Sequence, residues 1–271
     1  MTITAFVSGY APVNGLKIHY QIQGSGSPLV LLHGGMGSTA VFERLMPALA
    51  ESRRVIAIDL QAHGRTADVD RPLRYEQMAD DMAGVLRYLK IDKAAFMGYS
   101  LGAGVALQTA IRHPTIVQKL VVVSAPFSPR GWYPEIFAAI AQMGPATAEA
   151  MKQSPAYRVY ASVAPRPEDW TVLLSKLSDL LSQEYDWSAD IAGMGIPILL
   201  VFADADCIRP SHMVEFYKLL GGGRRDGGWD GAGVPSSRLA VLPGRTHYDI
   251  MDSPLLGAVA GTFLDEGSRA A

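Results

Sequence analysis

The chain of 271 residues contains one cysteine, Cys207. An internal disulfide is therefore impossible, and so is a zinc knuckle built on paired cysteines. The six histidines, His19, His33, His63, His113, His212 and His247, are scattered and form no metal-binding motif. A surplus of positive charge is missing too: 24 Lys and Arg stand against 26 Asp and Glu, a formal charge of −2. Such a chain has little with which to neutralise a run of phosphates, which argues against nucleic acid as the main partner. The longest apolar stretch, residues 196–203, is far short of the ~20 residues that cross a bilayer, so no membrane partner is expected. The first six residues carry no basic segment leading into an apolar one, as a secretory signal would. These absences lead to the expectation of a soluble, cytoplasmic protein, although an exported form stripped of its signal would read the same.

Hydrophobic residues make up 49% of the chain and charged residues 18%, a composition that folds rather than stays disordered. Short apolar runs alternate with longer helical patterns, the signature of a parallel sheet with crossover helices. Strands are expected at residues 16–23, 29–33, 54–59, 93–97, 119–124, 196–202 and 238–242. Helices are expected at 75–89, at 101–113 (stopped by Pro114) and at 254–264 (capped by Ser253). From residue 126 to 195 no buried strand is evident. That stretch reads as a helical insertion between two core strands, with two plain crossover helices and long loops as the alternative. The expected division is therefore a core of residues 1–125 and 196–271 and an inserted unit of 126–195. A Gly-rich stretch, 221–235, lacks the G-K-[ST] of a phosphate cradle and reads as a surface loop.

The most informative segment is Gly98-Tyr99-Ser100-Leu101-Gly102, a G-x-S-x-G pattern. The pattern alone is weak. Its position, after an apolar β run and before a helix, strengthens it. A serine on a tight strand-to-helix turn projects its hydroxyl from the sheet edge, and glycines on either side let backbone approach closely. The helix start offers oriented N–H groups for developing negative charge.

A serine needs a base, and histidine titrates in the right range. His247 lies in a loop just after the last expected strand, at the same sheet edge as Ser100. The other five histidines have blander settings at helix ends, in turns or on an early strand. The imidazole in turn needs a carboxylate. Asp204 and Asp206 both follow the 196–202 strand; Asp206 is preferred, and Asp204 reads as a turn-former bonding local backbone N–H groups. The backbone N–H of Leu101 is one donor to an oxyanion by construction of the turn.

With these motifs in view the chain resembles the α/β-hydrolase superfamily over about residues 15–265. The matching motifs are His33-Gly34-Gly35, Asp59-Leu-Gln-Ala-His-Gly64-Arg, Gly98-Tyr-Ser100-Leu-Gly102, Asp204-Ala-Asp206-Cys-Ile-Arg-Pro210 and Gly244-Arg-Thr-His247. The order Ser100, Asp206, His247 is that of the superfamily. The resemblance implies a mostly parallel eight-stranded sheet flanked by helices, with residues 126–195 as a cap over the site. It supports Asp206 over Asp204, because the family's acid usually sits four residues before that proline. It also places the second oxyanion donor after His33-Gly34, at Gly35 or, failing that, Met36. Many relatives have Pro-Gly where this chain has Gln61-Ala62, which puts that turn's geometry in question.

The reaction expected is two-step acyl transfer on a small ester or lactone with an apolar acyl or aryl part, requiring neither metal nor organic cofactor. Met36, Tyr99, Trp132, Tyr133, Phe137 and Met143 are candidates to line the substrate pocket. Cleavage of a C–C bond in a β-diketone and cofactor-free perhydrolysis use the same triad. A ligand-binding receptor on the same fold is the non-enzymatic alternative. Cys207, with no sharp turn to present it, reads as a half-buried thiol.

Overall fold

The computed structural model describes residues 6–266. Eight strands form one sheet: β1 (Val7–Val13), β2 (Leu16–Gln23), β3 (Ser27–Leu32), β4 (Arg53–Ile58), β5 (Ala94–Tyr99), β6 (Val117–Val123), β7 (Ile198–Ala205) and β8 (Arg238–Thr246). Their order across the sheet is β1-β2-β4-β3-β5-β6-β7-β8. The pairs β1–β2 and β2–β4 are antiparallel and the rest parallel. In chain order the helices are α1 (Met46–Leu49), α2 (Tyr75–Tyr88), α3 (Leu101–Arg112), α4 (Pro134–Ala141), α5 (Pro145–Met151), α6 (Pro155–Val163), α7 (Trp170–Leu181), α8 (Ser188–Ala192), α9 (Pro210–Leu219) and α10 (Pro254–Asp265).

The central strands are apolar throughout because both faces of the sheet are covered. Leu29 and Leu31 of β3 enter one core, with Phe42 and Met46 near α1 and Phe263 of α10. Val30 and Leu32, pointing the other way, enter a second core with Met82 of α2, Val105 of α3 and Trp170 and Leu177 of α7. That alternation explains why these strands read as uninterrupted apolar runs rather than as alternating ones.

Two departures from the sequence reading concern the sheet's margins. β1 was not expected, since Gly9 and Pro12 dilute its pattern and its outer half is exposed. Its signal lies in the turn instead. Asn14 (φ 48°) and Gly15 (φ 82°) form a two-residue hairpin between paired Val13 and Leu16. β8 runs to Thr246 rather than ending at Leu242. Pro243-Gly244 does not end the strand because the register breaks there, Gly244 takes φ 65°, and the carboxylate of Asp204 accepts the N–H groups of Gly244 and Arg245.

Between β6 and β7 the described chain is helical apart from loops and one isolated bridge, Trp132 to Ile208. Helices α4 to α8 join that second core, with Trp170 fully buried and its indole N–H donated to the Ala148 carbonyl at 3.2 Å. α7 is tied to the loop between β4 and α2: the Lys176 ammonium donates to Asp68 (2.6 Å) and to the carbonyls of Val69 and Arg71 (2.8 and 2.7 Å). Among the described residues, no helix is long and apolar enough to cross a membrane.

Candidate active site

The parallel register brings several strand ends to one line. Tyr99 of β5 pairs with Val123 of β6, Val123 with Val201 of β7, and Ala205 with Thr246 of β8. Residues that follow these ends, Ser100, Ser124, Asp206 and His247, therefore emerge on the same edge although they are far apart in the chain.

Ser100 joins β5 to α3 with φ 51° and ψ −117°, a conformation that a side-chain-bearing residue seldom adopts. Its surroundings hold it there. Its N–H donates to Val123 at 2.9 Å, and its carbonyl accepts from Ala103 (3.0 Å) and Gly104 (3.2 Å). The flanking glycines are needed for close approach. A β-carbon on Gly98 would lie 2.3 Å from the Gly102 carbonyl oxygen, and one on Gly102 would lie 2.3 Å from that of Leu32.

His247 Nε2 lies 3.1 Å from Ser100 Oγ, and its Nδ1 lies 3.0 Å from Asp206 Oδ1. Asp206 is buried and well supplied with donors. Its Oδ2 accepts the Ser124 hydroxyl at 2.6 Å and the Ala203 N–H at 3.0 Å; its Oδ1 also takes the Ile208 N–H at 3.3 Å. Burial pushes its pKa up, but the hydrogen bond and charge of His247, with the Ser124 and Ala203 donors, outweigh burial and leave it below the ordinary carboxylate value. An ionised Asp206 is an acceptor only, which assigns the proton on the facing nitrogen, Nδ1, and leaves Nε2 as the acceptor toward Ser100. Asp204 bonds more than the backbone of its own turn. Its exposed carboxylate reaches across to Gly244 and Arg245 at 2.9 and 3.1 Å and fixes the end of β8, one residue short of Thr246 and two short of His247.

The loop after β3 is held from below. His33 Nδ1 donates to the Gly34 carbonyl at 2.7 Å, and the Gly37 N–H donates to the same oxygen at 3.1 Å. A peptide is planar and trans, so the Gly35 N–H, which shares that plane, points the opposite way. Met36 carries φ 60° in the same turn. His33 Nε2 accepts the Leu60 N–H at 3.1 Å. His33 and His63, read as turn residues, are fully buried, with ring centroids 5.1 Å apart. Burial is the chief cause that lowers both pKa values, that of His63 to about 3. His19, read as a plain strand residue, is buried against Asp59 at 2.9 Å; Asp59 also accepts the N–H groups of Thr39 (2.6 Å) and Arg65 (3.0 Å). This hub ties β2, β4 and the loops that follow β3 and β4 together. Ala62 does take the left-handed conformation, φ 65°, that its replacement of glycine put in question.

A cavity of about 290 Å³ opens at Ser100. Met36, Tyr99, Trp132 and Met143 line it, as do Gly35 and Leu101; Tyr133 and Phe137 do not. The reason is the rotation of α4. Ile136, Ala139, Ile140 and then Met143 repeat at helical spacing and face the cavity, whereas Phe137 is turned ~100° from Ile136 and packs into the neighbouring core. Tyr133 precedes the helix, with its N–H donated to the Cys207 carbonyl at 3.1 Å. The sequence reading missed Ile136, Ala139 and Ile140, although their spacing was visible. It also missed Leu181 of α7, Tyr248 and the wall position of Cys207, which is buried rather than half-buried. The Gly-rich stretch 221–235 contributes nothing to the cavity. Among the described residues, no group of three or more His, Cys, Asp or Glu is placed to hold a metal ion.

Comparison with known proteins agrees with this architecture. The profile of a family described as the alpha/beta hydrolase fold matches residues 27–158. A 2-hydroxymuconate semialdehyde hydrolase of Pseudomonas sp. (strain CF600) is 37% identical over 115 residues, 41% of this chain and 41% of that protein. An sn-1-specific diacylglycerol lipase of Danio rerio is 36% identical over 115 residues, 42% of this chain and 36% of its own length. The matched chain thus spans about two fifths of these curated relatives. The crystal structure of an E-2-(acetamidomethylene)succinate hydrolase superposes with a TM-score of 0.76 at 22% identity, over 96% of this chain and 100% of the other. At that identity the likeness concerns the fold.

Proposed function

The chain belongs to the α/β-hydrolase superfamily, and on that premise we propose that it is a serine hydrolase of small carboxylic esters or lactones, working through an acyl-enzyme. The observation that carries the reading is the unbroken chain of contacts from Ser100 through His247 to Asp206, at 3.1 and 3.0 Å. In this reading His247 Nε2 takes the Ser100 proton as Oγ attacks the carbonyl, and Asp206 stabilises the imidazolium through Nδ1–H. His247 then protonates the departing alkoxide and activates the water that releases the acid.

The oxyanion is assigned to the N–H groups of Leu101 and Gly35. Leu101 starts α3, so its N–H has no partner within the helix. The Gly35 N–H is aimed by the anchored Gly34 carbonyl, which favours it over Met36. Helices α4 and α7, with the turn that follows α4, serve as a cap, since they supply Ile140, Leu181 and Met143 to the cavity wall. No step calls for a metal or organic cofactor.

A second reading, C–C bond cleavage with the same triad, is favoured by the similarity to the hydroxymuconate semialdehyde hydrolase. The deciding experiment assays purified protein on aryl esters, lactones and β-diketones, with Ser100→Ala as control. The ester reading expects steady turnover of an aryl ester that falls at least ~10³-fold in the variant. Equal rates in the two proteins would sink it.

A further inference from the structure

We propose that this site accepts neutral esters and rejects those whose acid part carries a second carboxylate, and that Ile140, Met143 and Leu181 enforce the choice. The proposal rests on the serine hydrolase reading and goes further, assigning a charge class to the substrate.

The residues around the cavity include no Lys, Arg, Asn, Gln, Asp or Glu. Of its polar side chains, Ser100, His247, Tyr99 and Cys207 are already engaged, and the other donors, the Trp132 indole N–H and the Tyr248 hydroxyl, belong to residues outside α4 and α7. Ser100 and His247 form the reacting pair. The Tyr99 hydroxyl donates to the His247 carbonyl at 2.7 Å, and the Cys207 thiol faces the Tyr248 hydroxyl at 3.6 Å. Two cations of this part of the chain are committed elsewhere. Lys176 is bound to Asp68 and Arg74 to Asp179, both contacts at 2.6 Å, while Leu177 and Leu181 of the same helix turn inward. A carboxylate entering beside Ile140 and Leu181 would lose its water and find no donor there, the costliest kind of burial. The one group able to become a cation is His247. A carboxylate seated against it would hold the ring protonated, and the ring could not then take the Ser100 proton. Such a compound would inhibit rather than react.

The test compares 4-nitrophenyl hexanoate with mono-4-nitrophenyl adipate, equal in chain length and leaving group, each corrected for hydrolysis in buffer alone. The expected kcat/KM favours the hexanoate by at least about 100-fold. Leu181→Arg and, separately, Ile140→Arg should raise the adipate's rate relative to the hexanoate's by about tenfold or more. The wild-type ratio decides even where a variant does not fold. Comparable wild-type rates on both esters overturn this proposal alone. Turnover of neither ester overturns the serine hydrolase reading, and this proposal with it.

Discussion

The hydroxyl of Tyr99 donates to the backbone carbonyl of His247 at 2.7 Å, and the two rings lie 5.4 Å apart. The residue before Ser100, the proposed nucleophile, is thus fastened to His247, the proposed base, across 148 positions of chain. Burial raises the Tyr99 pKa, so the phenol stays a donor at any working pH. Tyr99→Phe keeps the ring contact and removes the tether. A hydrogen bond of this kind contributes about 0.5–1.5 kcal/mol, so kcat should fall roughly two- to tenfold. KM on a small ester should hardly move, because the hydroxyl is turned to the main chain. An unchanged kcat would show that the tether does not position His247.

Ser124 stands in the corresponding relation to Asp206, the proposed acid of the triad. It sits at the end of β6 with φ 50°, and its hydroxyl meets Asp206 at 2.6 Å. Ser124→Ala leaves a buried carboxylate one donor short. Hydrogen bonds to charged groups contribute about 1.5–3 kcal/mol, which amounts to a loss of several degrees in melting temperature for a chain of this size. Ester turnover should fall by about tenfold, as the imidazolium loses part of its counter-charge. Calorimetry and steady-state assays on the same preparation check both.

What the sequence disclosed, and what it hid, follows from range. β3 to β7 are legible because strands covered on both faces must be apolar at every position. Ser100 is legible because the turn that presents it demands glycines at fixed offsets. His247 is legible only through its place after the last strand. The eight-stranded sheet was implied by resemblance, while β1 itself hid behind Gly9 and Pro12, its sign being Asn14-Gly15. The pairing of His19 with Asp59, and of Asp204 with Gly244, spans 40 residues each; no local pattern records such a contact. Tyr133 and Phe137 are aromatic, but residue type does not say which face of α4 meets the cavity: Phe137 lies off that face, and Tyr133 precedes the helix.

The buried histidines give stability a pH dependence. His63 Nδ1 donates to the Gln61 carbonyl at 2.8 Å, and its Nε2 is buried without a partner, so the ring is held neutral. Its pKa is lowered from 6.5 to about 3, chiefly by burial. Between those values the unfolded chain binds a proton that the folded one does not. Stability therefore falls as pH drops below 6.5, and goes on falling until about pH 3. From pH 7.5 to 5 the loss from this one group is about 2 kcal/mol by linkage. His212, lowered to about 4, acts in the same direction. Urea unfolding at the two pH values should show the loss in wild type and a smaller one in His63→Gln. An equal loss in both would remove His63 as its source.

The size of the cavity sets the last expectation. Its 290 Å³ equals about ten water volumes at ~30 Å³ each, room for roughly ten non-hydrogen atoms. Apolar chain that fits beside Ile140, Met143 and Leu181 gains about 0.8 kcal/mol per buried methylene. Longer chain must lie in solvent and gains nothing. Across a series of 4-nitrophenyl esters, kcat/KM should therefore climb by up to roughly fourfold per methylene, then level off or fall beyond a chain of about eight carbons. Leu181 closes part of the wall from α7, so Leu181→Ala should move the optimum toward longer chains by about two carbons. A series that still climbs through dodecanoate in wild type, or an optimum that Leu181→Ala leaves in place, would mean that the acyl chain takes another route out of the site.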